Sequence, residues 1–135
     1  MNFQIITIFP EILNSYFNEG MVRRAVDKKI IKVKAHNLRD WTTDKHRSVD
    51  DSPYGGGAGM VMKAEPIIKA LRALELRIKK EELRKKSKNK KIKTKIILLS
   101  AKGKKWTQKK AREYSKFDNI IFICGRYEGV DERVT

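Results

Sequence analysis

Residues 119–133, NIIFICGRYEGVDER, constrain the fold more than any other stretch. Ile120, Ile121, Phe122, Ile123 and Cys124 form a short apolar run, and three of its five residues are β-branched. A run this short, with no polar alternation, predicts a strand buried on both faces, as in the middle of a parallel sheet. It stops at Gly125, and Gly125 and Gly129 bracket Arg126, Tyr127 and Glu128. In open α/β sheets ligands sit at the carboxyl ends of the strands, and glycine lets backbone approach them without a Cβ clash. The alternative is an ordinary strand-to-helix turn with solvated side chains.

A second run, Ile96, Ile97, Leu98 and Leu99, ends in the small-residue loop Ser100, Ala101, Lys102, Gly103. It predicts another buried parallel strand. Thr107 is placed to cap a helix running to about Tyr114. Two strands, each ending in a Gly-bearing loop and joined by one helix, predict a βαβ unit with a crevice.

The rest of the chain supplies the other layers. Residues 1–9 read as a strand. Pro10 and Glu11 open a helix to about Asn18, with Ile12, Leu13, Tyr16 and Phe17 expected to pack into the core. Gly20 ends it, residues 21–28 form a short helix with Val22, Ala25 and Val26 inward, and residues 30–35 form a strand. Met60, Val61 and Met62 suggest a further short strand. Glu65 and Pro66 open a long helix whose buried stripe is Ile67, Ile68, Leu71, Leu74 and Ile78. Residues 79–95 carry ten basic side chains against Glu81 and Glu82 and read as a basic loop, low in complexity at Ser87, Lys88, Asn89 and Lys90. That run is either a solvated charge run or an RNA-contacting arm.

Residues 38–59, LRDWTTDKHRSVDDSPYGGGAG, are long, polar and aperiodic. Loops of this length inside compact domains are functional or disordered. Trp41, His46, Arg47, Asp50, Asp51 and Tyr54 interleave aromatic, basic and acidic groups before Gly55, Gly56, Gly57, Ala58 and Gly59. Such interleaving suits a surface that stacks on bases and pairs with phosphates. Ordinary solvated turns would also use these residues. No Gly-Lys-Ser/Thr follows the glycines, so this is not a P-loop.

Length, 135 residues, fits one domain, and 40% hydrophobic residues suffice for one core. The formal net charge of +16 points to a polyanionic partner, most simply nucleic acid, with an acidic membrane surface as the weaker rival. No stretch has the length and apolarity of a spanning helix, and the first residues lack the charged start of a signal peptide. The single cysteine, Cys124, fits a reducing cytoplasm and a core role. Metal-site spacing of Cys and His is absent. A dinucleotide site of the Rossmann type is set aside, because no glycine follows the first strand.

Taken together, residues 54–59, 99–103 and 125–133 resemble the bacterial tRNA (guanine-N1)-methyltransferases that modify the guanine just 3′ of the anticodon. The likeness runs along the whole chain through Phe9-Pro10-Glu11, Arg24-Ala25-Val26, Arg39-Asp40 and His46-Arg47-Ser48-Val49-Asp50-Asp51. It implies an α/β, parallel-sheet, knotted methyltransferase domain of the SPOUT class. It also implies a cytoplasmic homodimer, with S-adenosylmethionine as cofactor and tRNA as substrate.

By that resemblance Leu98, Leu99, Ser100, Ala101, Gly103, Gly125, Tyr127 and Glu128 bind the cofactor. The family's Ser-Pro-Gln-Gly is Ser100-Ala101-Lys102-Gly103 here, which removes the glutamine side chain. His46, Arg47, Asp50, Tyr54, Gly55, Gly56, Gly57 and Arg126 fall on the RNA side. Glu128 is positioned to contact the cofactor's ammonium or a metal such as Mg2+, or to orient the guanine. Asp50 is the acidic candidate on the substrate side.

The family's third cofactor loop, its aspartate base and its C-terminal RNA-binding domain are expected beyond Thr135. The chain therefore reads as an incomplete methyltransferase domain, residues 1–135, truncated before the knot closes and nearly inactive alone. The rival reading is a non-catalytic basic RNA-binding module.

Overall fold

The computed structural model describes residues 1–53, 55–84 and 92–134. The chain divides into two compact units, Met1–Asn37 with Ile92–Cys124, and Leu38–Lys91 with Gly125–Thr135.

In the first unit, strands β1 (Asn2–Thr7), β2 (Lys32–Asn37), β5 (Thr94–Leu99) and β6 (Asn119–Cys124) form one sheet in the order β2-β1-β6-β5. Every pairing is parallel. β6 lies between β1 and β5, as its unbroken apolar run predicts, and Ile120, Ile121 and Ile123 are buried with Ile6 and Ile8. At the amino ends of three neighbouring strands, Asn119 accepts from Asn2 Nδ2 at 2.9 Å and donates to Thr94 Oγ1 at 3.5 Å. These bonds fix the register and satisfy a polar side chain that is almost fully buried.

Helices α1 (Pro10–Phe17) and α2 (Gly20–Asp27) connect β1 to β2. Gly20, at φ +59°, separates them, a conformation that a Cβ would strain. The expected inward stripe of α1 is corrected. Ile12 and Tyr16 are 68% and 70% exposed, while Leu13 and Phe17 are half-buried. At 100° per residue the two pairs lie on adjacent faces, and only one can meet the sheet. Val26 is also exposed rather than inward. β2 starts two residues later than its pattern suggested, leaving Ile30 exposed.

The expected burial of the 96–99 run is corrected as well. Among the described residues β5 is an edge strand with one neighbour, and Ile96 and Leu99 remain exposed. Its βαβ connection to β6 through α4 (Gln108–Tyr114) is as expected. Thr107 caps α4, its Oγ1 accepting from the Lys110 N–H at 3.3 Å. Thr107→Ala is expected to lower stability by about 1 kcal/mol. That loss should appear as a lower urea midpoint at unchanged slope, and Thr107→Ser should restore it.

In the second unit, helix α3 (Ala64–Arg84) buries Ala64, Pro66, Ile67, Ala70 and Leu74. Ile68, Leu71 and Ile78 are only half-buried. The helix runs through 79–84, so the start of the basic stretch is helical rather than loop. The rest, 85–91, including Ser87 to Lys90, lies outside the described residues. A short 3-10 turn, Leu38–Trp41, packs on α3. Strand β3 (Asp50–Asp51) pairs antiparallel with β4 (Val61–Met62), and Leu38, Val49 and Met62 are fully buried.

Candidate functional site

Each unit carries part of the residues singled out by the sequence. In the first unit the chain leaves β5 in a tight turn. The Gly103 N–H donates to the Ser100 carbonyl at 3.0 Å, and the Lys102 N–H donates to Ser100 Oγ at 3.2 Å. A Cβ on Gly103 would stand 2.9 Å from that carbonyl oxygen, so only glycine closes the turn without shifting backbone. Leu98, Leu99, Ser100, Ala101 and Gly103 all border one cavity of about 840 Å3. The structure thus brings five of the expected cofactor residues together around space of the size small-molecule sites use.

In the second unit, Met62 is the centre of a small ladder. It pairs with Asp50 on one side and with Val130 on the other. The Glu128 N–H donates to the Met60 carbonyl at 3.0 Å, the Met62 N–H to the Gly129 carbonyl at 2.9 Å, and the Asp131 N–H to the Met62 carbonyl at 3.0 Å. The Arg126 N–H lies 3.1 Å from Met62 Sδ. These bonds tie the 125–131 loop to the segment that follows the glycines, and they place Asp50 and Glu128 on one framework.

Glu128 lies across Gly59, where an added Cβ would be 2.5 Å from Glu128 Cγ. Gly59 also holds φ +92°. Tyr127, at φ +60°, is a non-glycine residue in the left-handed region. Such strain collects at functional loops. The Arg133 guanidinium and N–H, bonded to its carboxylate, hold Asp131 down at about 2.

The 38–59 segment is internally bonded despite its aperiodic sequence. Arg47 pairs with Asp40, and its Nε donates to the Arg39 carbonyl at 3.3 Å. Arg39 Nη1 returns a bond to the Arg47 carbonyl at 3.0 Å. Asp44 accepts the Ser48 N–H, which lowers its carboxyl from the usual range. His46 is exposed. Gly55, Gly56 and Gly57 are exposed at φ +90°, +85° and +131°, with open space where each Cβ would be. Tyr54 lies outside the described residues. Cys124 is half-buried, and burial pushes its thiol up, which makes it a poor nucleophile.

The sequence profile described as tRNA (Guanine-1)-methyltransferase, TrmD, matches residues 1–135. The chain belongs to the tRNA (guanine-1)-methyltransferase family. A tRNA (guanine-N(1)-)-methyltransferase of Dictyoglomus turgidum is 50% identical over 134 residues, 99% of this chain and 49% of its own length. That of Carboxydothermus hydrogenoformans is 47% identical over 99% of this chain and 47% of its own length.

The crystal structure of the tRNA (m1G37) methyltransferase from Aquifex aeolicus superposes with a TM-score of 0.79 at 38% identity. It covers 99% of this chain and 55% of that one. The parallel α/β fold is therefore that of this methyltransferase family. The chain spans about half the length of the curated relatives it matches. Sequence reasoning missed β3 and the Gly59–Glu128 contact. β3 lies in a polar stretch with no strand propensity, and the Gly59–Glu128 contact joins residues far apart in the chain.

Proposed function

We propose that residues 1–135 are the N-terminal part of a methyltransferase domain. The domain moves a methyl group from S-adenosylmethionine to N1 of the guanine 3′ of the tRNA anticodon. The match of the whole chain to this family carries the reading. Methylation at guanine N1 requires alignment of the methyl with N1, removal of the N1 proton, and donors for the charge that grows toward O6.

Bound S-adenosylmethionine supplies the electrophilic methyl. In this reading the cavity bordered by Leu98, Leu99, Ser100, Ala101 and Gly103 receives the cofactor. Gly125, Tyr127 and Glu128 are the remaining cofactor residues of the reading, with Glu128 offered to the ligand's ammonium or to Mg2+. Among the described residues, no group of three His, Cys, Asp or Glu side chains could hold a metal by itself.

Asp50, held beside Met62, is the substrate-side carboxylate. His46, Arg47, Gly55, Gly56, Gly57 and Arg126 are the RNA-side residues of this reading, together with Tyr54, which lies outside the described residues. The net charge of +16 supports a tRNA partner. Exposed Ile12, Tyr16 and Met21 suit a homodimer, and the reading includes a cytoplasmic setting. Among the described residues no helix is long and apolar enough to cross a membrane.

The test uses labelled S-adenosylmethionine and two unmodified tRNAs, one with guanine and one with adenine 3′ of the anticodon. For the 135-residue chain the expected result is saturable cofactor binding by calorimetry, with incorporation near background in both RNAs. Robust, guanine-only incorporation would confirm the activity and overturn the expectation that the chain is incomplete. Salt-sensitive tRNA binding with no cofactor binding would instead favour a non-catalytic RNA-binding module.

A further inference from the structure

The cavity at the end of β5 has a second wall that the cofactor reading does not use. On the α4 side it is lined by Lys104, Lys105, Trp106, Lys110 and Tyr114. Trp106 is 47% exposed. Its ring is held in place from behind, meeting Tyr114 edge-on at 5.4 Å and Phe122 at 6.3 Å. Lys95 Nζ lies 5.8 Å from the Tyr114 ring centroid.

Residues 101–112 carry Lys102, Lys104, Lys105, Lys109, Lys110 and Arg112 and no acidic residue. None of these six takes part in the ion pairs of the described residues. Three lysines along this wall favour a ligand with several negative charges, such as a phosphate chain. A large ring, fixed in orientation and left half in solvent among unpaired cations, has the two parts of a single-strand binding surface: a stacking platform and charges for the backbone.

We propose that Trp106, with Lys104, Lys105 and Lys110, is a contact surface for single-stranded RNA. One base stacks on the indole and its flanking phosphates pair with the lysines. This rests on the tRNA reading above and uses residues other than those of the 46–57 segment. An acidic membrane is the less suited partner, since α4 has only seven residues and exposes no long apolar face to insert.

The experiment isolates the ring. The chain has two tryptophans, Trp41 and Trp106, so Trp41→Phe leaves Trp106 as the only indole reporter. Its fold is compared with the parent by circular dichroism. A mixed-sequence RNA decamer, heparin and phosphatidylglycerol vesicles are titrated in turn.

Saturable quenching by RNA, with heparin bound but not quenching, is the expected result. Trp106→Ala should weaken RNA binding about 5- to 150-fold, the range for loss of one stacked base. Trp106→Phe, which keeps a ring and guards against misfolding, should recover part of it. Replacing Lys104, Lys105 and Lys110 together by Ala should reduce the slope of log affinity against log salt by about 2.

RNA binding with a silent Trp106 and an unchanged slope would overturn the surface but leave the tRNA reading standing. Quenching by heparin equal to that by RNA, or by vesicles alone, would also overturn it. Absence of any RNA binding would overturn both.

Discussion

Gly59→Ala is expected to release the 125–131 loop from Met60 and Met62. Two costs combine at this position. A left-handed φ of +92° strains any L side chain by about 1–2 kcal/mol. The new Cβ would also lie 2.5 Å from Glu128 Cγ, in the middle of that side chain rather than at its mobile tip. Glu128 must leave its place or the ladder must open, at a further cost of about 1–3 kcal/mol.

Gly56 separates the two costs. Its φ of +85° is nearly the same, and nothing lies within 4 Å of where its Cβ would be. Gly56→Ala therefore carries the strain alone. Amide hydrogen exchange reads the outcome. In Gly59→Ala the Met62, Glu128 and Asp131 amides should exchange about ten- to a hundredfold faster than in Gly56→Ala, while β1 and β6 amides stay protected. Equal exchange in the two variants would mean that the Glu128 contact does not hold the loop.

The parts of the fold visible in the sequence were those set by local pattern. β6 announced itself because a strand with a neighbour on each side and both faces covered must be apolar at nearly every position. α4 was legible from Thr107, because a capping hydroxyl satisfies amides that the helix leaves free. The errors came where topology decides. The 96–99 run is as apolar as a central strand, yet β5 ends up at the edge, and only the strand order determines that. Ile12 and Tyr16 share a helical stripe with Leu13 and Phe17, and only the docking angle of α1 selects between them.

The site divided in the same way. The glycines at 55–57, 59, 103, 125 and 129 stood out as letters. The reasons for two of them did not. Gly59 is required by its left-handed backbone and by the Glu128 side chain, which comes from the far end of the sequence. Asp50-Asp51 has no strand propensity and becomes a strand because buried Met62 offers a partner already anchored by Val130. Arg47 looked like a phosphate ligand, and the structure shows its guanidinium bracing the 38–48 segment through Asp40 and the Arg39 carbonyl. An RNA contact by Arg47 therefore has to coexist with that bracing role.

Gly103→Val is expected to weaken cofactor binding about a hundredfold with little effect on the sheet. The neighbour is now backbone, with Ser100 O 2.9 Å from the position of even a first side-chain carbon. A carbonyl fixed by the bond it accepts from the Gly103 N–H cannot swing away as a side chain can. A branched residue must therefore break that 3.0 Å bond and widen the turn. The walls of the cavity at Leu98, Leu99, Ser100 and Ala101 would then change shape together.

The lost hydrogen bond contributes about 1 kcal/mol, and loss of the preorganised turn adds the cost of ordering it again at each binding event. A combined effect of about 3 kcal/mol corresponds to roughly a hundredfold weaker affinity. Calorimetry with S-adenosylmethionine measures it on the 135-residue chain. The turn is exposed and lies after the last β5 residue, so the urea midpoint should move far less than the affinity. Unchanged cofactor affinity in a folded Gly103→Val chain would remove the 100–103 turn from the binding site. An equal collapse of affinity and stability would make the glycine structural instead.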